Sequence, residues 1–420
     1  MTTETILVLG GSFAGLSAAH YALKHVLPSV PKSEGKTYTV TLVNPSPDFY
    51  WRVAGPRACV DKDLLPSSKY LYPIAPAFSS YPKGQFTFIL GTATAVDTAA
   101  KTATISTTEG SVQTIPYKAL IIATGTSTPA PMFSARATKE ELTAALSSFQ
   151  KALPSAKSVI IAGGGPVGVE TAGEIAEFLN GTPGFFSSKP AHPKAVVTII
   201  SGDGKLLPIL RPAISKQAEK FLHRLGAEVI YSTRVTGTTV EADGKTTVAL
   251  SDGKTMTADI YVDATGVRPN TSYLPSTLLN EKGYVLCNSS TLRVDAAGPL
   301  VYVIGDAGSY TRGGVMDCYD AVPVALTNLK KDLSPNAASL PDRTYKQNTV
   351  EQQIVPVGRG KGVGAVLGWK VPSWFVWAIK GRDYMCSMAP DLVSGKKWAK
   401  EVAWKPQPTV QAKAGSQGGK

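Results

Sequence analysis

ILVLGGSFAGLSAAHYAL, residues 6–23, and SVIIAGGGPVGVETAGEIAEFL, residues 158–179, decide the fold of this chain. In each, a short apolar run ends in a glycine-rich turn and continues as a helix whose small residues face back toward the strand. A further strand follows both, TYTVTLVN ending at Asn44 and AVVTIIS ending at Ser201, so each stretch opens a βαβ unit. The expected fold is therefore α/β, with two Rossmann-type units whose first glycines, Gly10 and Gly163, stand about 150 residues apart.

GGSFAG at 10–15 follows the pattern GxGxxG except that Ser12 stands at the second glycine. In that pattern the first glycine makes the tight turn, the second admits a diphosphate close to the backbone, and the third lets helix and strand pack closely. Serine keeps a hydrogen-bonding group near the phosphates, and the helix N-terminus still offers free N–H groups and a favourable dipole. A glycine-rich strand-to-helix turn alone also fits other α/β folds. The expected contacts are Gly10, Gly11, Ser12, Phe13, Ala14 and Gly15. Asn44 replaces the acidic residue that usually holds the adenosine ribose, so that contact carries no charge. GGGPVGVE at 163–170 is a full match through Gly163, Gly165 and Gly168. Its following strand ends in Ser201, again without an acid, which leaves NADH and NADPH both open. Lys205 nearby reads as a phosphate contact or, more simply, as a surface charge.

Two similar strand ends, ALIIATGT at 119–126 and IYVDATGVRPN at 260–270, and a late VYVIGDAGS at 301–309 complete the pattern. Together they resemble the two-dinucleotide-binding-domain flavoproteins of the glutathione-reductase-like fold. That resemblance implies FAD, held non-covalently, in the first site and NADH or NADPH in the second. It places an FAD-binding domain at 1–126 and 267–340, an NAD(P)H-binding domain at 127–266, a small C-terminal α+β interface or acceptor domain at 341–408, and a polar tail at 409–420. Thr124, Gly125, Gly266 and Gly305 then fall where backbone approaches cofactor. Asp306 falls where the family binds the flavin's ribityl chain, although an aspartate there also reads as a helix cap.

Within that fold the chain resembles apoptosis-inducing-factor-like proteins of the ferroptosis-suppressor type and, more distantly, type II NADH dehydrogenases. FYWRVAGPRACV at 49–60 is similar to the family's aromatic segment and implies an FAD contact for Arg57. FTFILGTATAVD at 86–97 puts the adenine contact near Ala93, and Glu170 corresponds to the carboxylate expected to orient the reacting ring. GRDYMCSMAPDLVSGKKW at 381–398 is similar to the C-terminal pattern, which makes Tyr384 and Met385 acceptor-pocket residues. The likeness runs nearly end to end. Ser12, Asn44, and the insertions at 28–36 and 181–194 depart from it. A helix expected near Ala321 would point its N-terminus at the flavin's carbonyl end.

Composition narrows the chemistry. With 420 residues, 43% hydrophobic and 18% charged, the chain has globular composition and length enough for two or three domains. Its four cysteines, Cys59, Cys287, Cys318 and Cys386, form no CxxC or CxxxxC pair, which argues against a dithiol relay and against a metal site. Electrons reaching a flavin must then leave directly to a quinone, another small oxidised molecule or dioxygen. The net charge of +12 is mostly C-terminal, since residues 341–420 carry 13 Lys and Arg against 5 Asp and Glu. Those cations are spaced among apolar residues and match no DNA-reading motif, so nucleic acid is a disfavoured partner.

GVGAVLGWKVPSWFVWAIKGRDYM at 362–385 is broken by Lys370 and Pro372 and makes a poor transmembrane helix. Trp369, Trp374, Phe375 and Trp377, beside Lys370, Lys380 and Arg382, suit either peripheral contact with a membrane or internal or dimer packing. No signal peptide is visible, and Thr2 stands where myristoylation needs glycine, so the expectation is an intracellular protein, cytoplasmic or peripheral at a membrane and not secreted. A monomer and a homodimer both fit. The expected function is FAD-dependent NAD(P)H oxidoreduction toward a quinone-like acceptor. The alternatives are a flavin-dependent tailoring oxidoreductase of a small-molecule pathway and a redox-sensing or death-effector protein that binds nucleic acid.

Overall fold

The computed structural model describes residues 2–30, 35–134, 137–184 and 187–406. The expected tail therefore lies outside the described residues, as do parts of both insertions. Strand β1 (Thr2–Leu9) is followed by helix α1 (Phe13–Tyr21), then by β2 (Lys36–Asn44), β3 (Phe86–Asp97), β4 (Thr102–Thr107), β5 (Val112–Pro116) and β6 (Ala119–Ile122). The second unit runs through β7 (Ser158–Ala162), α2 (Pro166–Asn180), β8 (Val196–Ile200), β9 (Ala227–Ile230) and β10 (Ile260–Asp263). After it the chain returns through β11 (Val301–Val303) to α3 (Val315–Asp332).

Sheet order shows what the return accomplishes. The first sheet has seven strands in the order β11-β6-β1-β2-β3-β4-β5, so a strand from beyond residue 300 edges a sheet begun at residue 2. The pairs β1–β2, β1–β6 and β6–β11 are parallel, and their carboxyl ends finish side by side. The second sheet is β9-β8-β7-β10, also parallel. Its interior strands carry buried apolar runs such as Val159–Ile160–Ile161, as expected where helices cover a parallel sheet. The α/β architecture with two dinucleotide-binding units is the one expected from the glycine-rich turns. A two-stranded crossing of Thr126–Ser127 with Arg268–Pro269 joins the units.

Residues 353–370 form an antiparallel three-stranded sheet that lies on α2. The approach is close: a Cβ placed on Gly173 of α2 would fall 2.5 Å from the backbone nitrogen of Gly358. Farther along, the last described turns sit on the helix that follows β1. His20 bonds the Val393 carbonyl at 2.8 Å and Tyr81 at 2.8 Å, and burial lowers its pKa to about 4, so the ring stays neutral at pH 7. The C-terminal region thus touches both units.

Two details differ from expectation. Helix α3 starts at Val315 and not near Ala321, with Gly314 at φ +125° as its N-cap and Pro323 inside the helix. Glycine's freedom at positive φ sets that start. Trp369, Trp374 and Trp377 are not buried inside the chain; they are 80%, 69% and 44% exposed.

Candidate active site

The carboxyl ends of β1, β2, β6 and β11 meet at one cleft, the usual ligand position in such sheets. One part, holding about 630 Å³ of empty space, is lined by Gly10, Gly11, Ser12, Asn44, Ala93, Thr124, Asn270 and Tyr273, among others. A second part of about 380 Å³ shares Ser12, Ala123 and Thr124 with it and continues along Phe13, Ala14, Arg52, Gly125, Thr126, Gly305, Asp306 and Cys318. The two parts together make an elongated groove.

Local geometry explains the glycines. Gly10 sits at φ +102°, and a Cβ there would meet the Ala123 carbonyl oxygen at 2.4 Å. A Cβ on Gly15 would fall 1.6 Å from the Gly10 oxygen, which is why α1 can start directly against β1. Ser12 is the N-cap of α1, yet its hydroxyl makes no capping bond. That leaves the hydroxyl and the free N–H groups of the first turn facing the cleft. Asn44 is 7% exposed; its side-chain oxygen accepts the Gly11 N–H at 2.8 Å and its amide donates to the Ser46 carbonyl at 2.8 Å. Asn44 thus braces the turn, with one lone pair and one N–H left for a ribose.

Asp306 holds the far end. Its carboxylate accepts from Arg52 at 2.8 Å and from the Gly314 N–H at 3.0 Å, linking the aromatic segment to the start of α3. Thr126 is 1% exposed and lines the same part of the groove, and its hydroxyl has no hydrogen-bond partner among the described residues. An orphaned buried hydroxyl, an uncommitted Ser12 and a run of cleft-facing backbone N–H groups fit a dinucleotide with a polar ring system. The groove fits FAD, for which residues 11–15 would hold the diphosphate, Asn44 the ribose, Ala93 the adenine, and Asp306 with Arg52 the ribityl chain.

The second glycine turn repeats the design with one difference. Gly163, at φ +122°, lies against the Ala264 oxygen, and a Cβ on Gly168 would come within 1.9 Å of the Gly163 oxygen. Beside Gly165, by contrast, no described residue other than its own chain neighbours comes within 4 Å of an added Cβ, which gives a ligand room there. Ser201, 1% exposed, closes the end of β8 beside it. Gly266 lies beyond β10 at φ +41°, with open space around it.

Other expected site residues lie elsewhere. Arg57 does not face the groove: its guanidinium donates to both oxygens of Glu174 at 2.7 and 3.0 Å and to the Gly381 carbonyl at 2.8 Å. Of the two arginines in the aromatic segment, Arg52 is the one at the cleft. Tyr384 is fully buried, with its hydroxyl on Glu174 at 3.1 Å and its carbonyl accepting from the Trp51 indole at 3.0 Å. Met385 follows it at φ +60°, in the same left-handed turn. Glu170, Glu174 and Glu177 share one face of α2, each buried and each met by a different cation: Lys380 at 2.5 Å, Arg57, and Arg359 at 3.0 Å. This stripe ties the second unit to the C-terminal region and to the aromatic segment.

Sequence reading missed Arg52, Asn270, Tyr273, Thr126 and the three-carboxylate stripe. Asn270 stands in the quoted VRPN stretch, and its side chain bonds Ser127 at 2.5 Å and the Thr124 carbonyl at 2.9 Å across the crossing between units. The i, i+4, i+7 spacing of the glutamates was the available signal for the stripe.

At Glu170 burial outweighs the Lys380 ammonium and raises the pKa from 4.5 to about 7. Its folded value exceeds its unfolded value, so the folded protein holds an extra proton between those limits and stability falls as pH rises through that window. Glu170→Gln is expected to flatten that part of the melting-temperature profile relative to the parent protein. An identical slope in both would show that Glu170 titrates normally.

The model of the pyridine nucleotide-disulphide oxidoreductase family matches residues 4–325. The chain belongs to this family. Among curated relatives of this oxidoreductase, oxidoreductase phnG of Penicillium herquei is 43% identical over 408 residues, 94% of this chain and 97% of the relative. Ferroptosis suppressor protein 1 of Xenopus tropicalis is 26% identical over 395 residues, 91% and 94% of the two chains. The solved sulfide:quinone oxidoreductase of Aquifex aeolicus superposes with a TM-score of 0.70 at 16% identity, covering 93% of this chain and 92% of that one, a likeness of fold. The protein is accordingly a flavoprotein oxidoreductase of the apoptosis-inducing-factor and ferroptosis-suppressor kind, with FAD and a nicotinamide as its cofactors. Despite the family's name, all four of its cysteines are free, and burial pushes the Cys318 thiol at the groove far above the ordinary range.

Proposed function

We propose that this oxidoreductase takes a hydride from NADH or NADPH and passes the electrons through FAD to a quinone-like acceptor, with no protein thiol in the path. The observation that carries this reading is the groove itself, whose one cysteine is a buried, protonated thiol without a disulfide partner. FAD, when bound, supplies the hydride and electron chemistry. The chain's part is to hold and position. Residues 1–126 and 267–340 would carry the flavin and 127–266 the nicotinamide. Asp306 and Arg52 set the ribityl end, and the first turn of α2 binds the second dinucleotide. Glu170 and Lys380 keep the start of α2 seated on the C-terminal region, and a carboxyl titrating near neutrality can hold or release a proton there. Kinship with ferroptosis suppressor protein 1 and likeness to a sulfide:quinone oxidoreductase support a quinone as the acceptor class.

The exposed Trp369, Trp374 and Trp377, beside Lys370, form a surface suited to anionic headgroups, where a lipid quinone is met. Among the described residues no helix is long and apolar enough to cross a membrane. The test is anaerobic stopped-flow absorbance: NADH or NADPH should bleach the flavin, and a short-chain ubiquinone should restore it rapidly. The cycle should run faster with a long-chain quinone in anionic vesicles than in neutral ones. Bleaching without recovery on any quinone would move the protein to the tailoring-enzyme reading, with a different small-molecule acceptor.

A further inference from the structure

The second dinucleotide turn lacks the carboxylate that normally selects NADH, and tertiary structure brings an arginine to that place. The segment after β9 is stapled to the turn after β8: the Thr233 N–H bonds the Ser201 carbonyl at 3.0 Å and the Ser232 N–H bonds the Asp203 carbonyl at 3.2 Å. This puts Arg234 against Gly202. A Cβ on Gly202 would fall 3.1 Å from both Cγ and Cζ of Arg234 and 3.2 Å from its Nε, so the guanidinium lies along the glycine backbone. A side chain at residue 202 would have to push the arginine aside by a few tenths of an ångström.

The groups around it are informative. Arg234 is exposed, its backbone N–H is held by the Ser251 hydroxyl at 3.0 Å, and its guanidinium makes no hydrogen bond or ion pair among the described residues. The Ser201 hydroxyl exchanges hydrogen bonds with the backbone of Asp203 at 3.2 and 3.3 Å. A Cβ on Gly164 would meet that hydroxyl at 2.4 Å, so Ser201 touches the glycine turn directly. Lys205, the cation nearest in sequence, is instead committed to the Leu210 carbonyl. The position where an acid would accept the ribose hydroxyls thus holds a neutral serine, with an unpaired guanidinium beside it.

We propose that Arg234, beside the neutral Ser201, is the recognition site for the 2′-phosphate on the adenosine ribose of NADPH, and that the protein prefers NADPH to NADH. The inference rests on the reading that the second glycine turn binds the nicotinamide dinucleotide. A guanidinium matches a phosphate in charge and in paired N–H geometry, and it gains more from that anion than from a hydroxyl. The one carboxylate in the same turn, Asp203, is the competing element, since it would repel the phosphate.

The test uses the purified holoprotein, whose first site is filled with FAD, and titrates it calorimetrically with adenosine 2′,5′-bisphosphate and with 5′-AMP. The bisphosphate should bind at least about tenfold more tightly, Arg234→Ala should remove that advantage, and Arg234→Lys should restore part of it. In stopped-flow reduction, Arg234→Ala should raise the NADPH concentration needed for half-maximal rate, leaving the saturating rate and the NADH reaction unchanged. Asp203→Asn should strengthen NADPH binding. Equal binding of the two nucleotides by the parent protein, or equal loss of both in Arg234→Ala, overturns this proposal alone. A flavin that neither nicotinamide reduces, in a protein that still discriminates the nucleotides through Arg234, overturns the oxidoreductase reading and leaves this one standing.

Discussion

Gly168→Ala is expected to yield a yellow, flavin-loaded protein that NADH and NADPH bleach at least about 100-fold more slowly than the parent. The added Cβ would fall 1.9 Å from the Gly163 carbonyl oxygen, a backbone atom that cannot swing aside. Helix α2 must lift away from β7, which moves its N-terminal N–H groups and widens the glycine turn at the proposed nicotinamide site. The flavin groove is built from α1, β1, β2, β6 and β11, so it should keep FAD. Gly165→Ala is the informative companion: among the described residues, none but its chain neighbours lies within 4 Å of its Cβ, so folding should be unchanged while dinucleotide binding weakens. Parent-like reduction in both variants would show that the second turn is not where the nicotinamide binds.

The largest stability effect is expected at Arg57. Its guanidinium and the Glu174 carboxylate are 6% and 1% exposed as side chains, and the Tyr384 ring lies 4.7 Å from the guanidinium carbon. Removing one member of such a pair leaves the other charged and dry, at a cost of about 3–5 kcal/mol. Arg57→Ala should therefore lower the apparent melting temperature by at least about 5 °C. Arg57→Met combined with Glu174→Gln should recover most of that loss, because the neutral amide still accepts the Tyr384 hydroxyl and no charge is stranded. The same variant should slow single-turnover flavin reduction even where it remains folded. Arg57 joins the aromatic segment of the first unit to α2 of the second, and the proposed hydride transfer depends on how those units are held. If Arg57→Ala melts with the parent, the pair is not holding the units together.

Arg52 and Arg57 illustrate what was legible. They stand five positions apart in one short segment, and resemblance to a family singled out Arg57 for the flavin. Both are arginines among aromatics, and no local pattern separates a cleft-facing side chain from one buried against a helix more than a hundred residues away. The glycines were easier to read, because their requirement is local: strand, turn and helix are contiguous, and the contacts that exclude a Cβ on Gly15 and Gly168 lie within the same few residues. Asn44 falls between these cases. Its place at the end of β2 was evident, but its use as a brace for the Gly11 N–H depends on β1 and β2 being neighbours.

The sequence by itself determined the α/β class, the two dinucleotide turns and the flavin and nicotinamide cofactors. These follow from short-range regularities of spacing, residue size and hydrogen-bonding capacity that survive without knowledge of the rest of the chain. Only the tertiary structure decided which arginine meets Asp306 and which cations meet the glutamates of α2. It alone placed the tryptophans in solvent and set Arg234 beside Ser201. Those outcomes depend on contacts between segments far apart in sequence, where burial, charge pairing and close backbone approach are settled together by the packing of one unit on another.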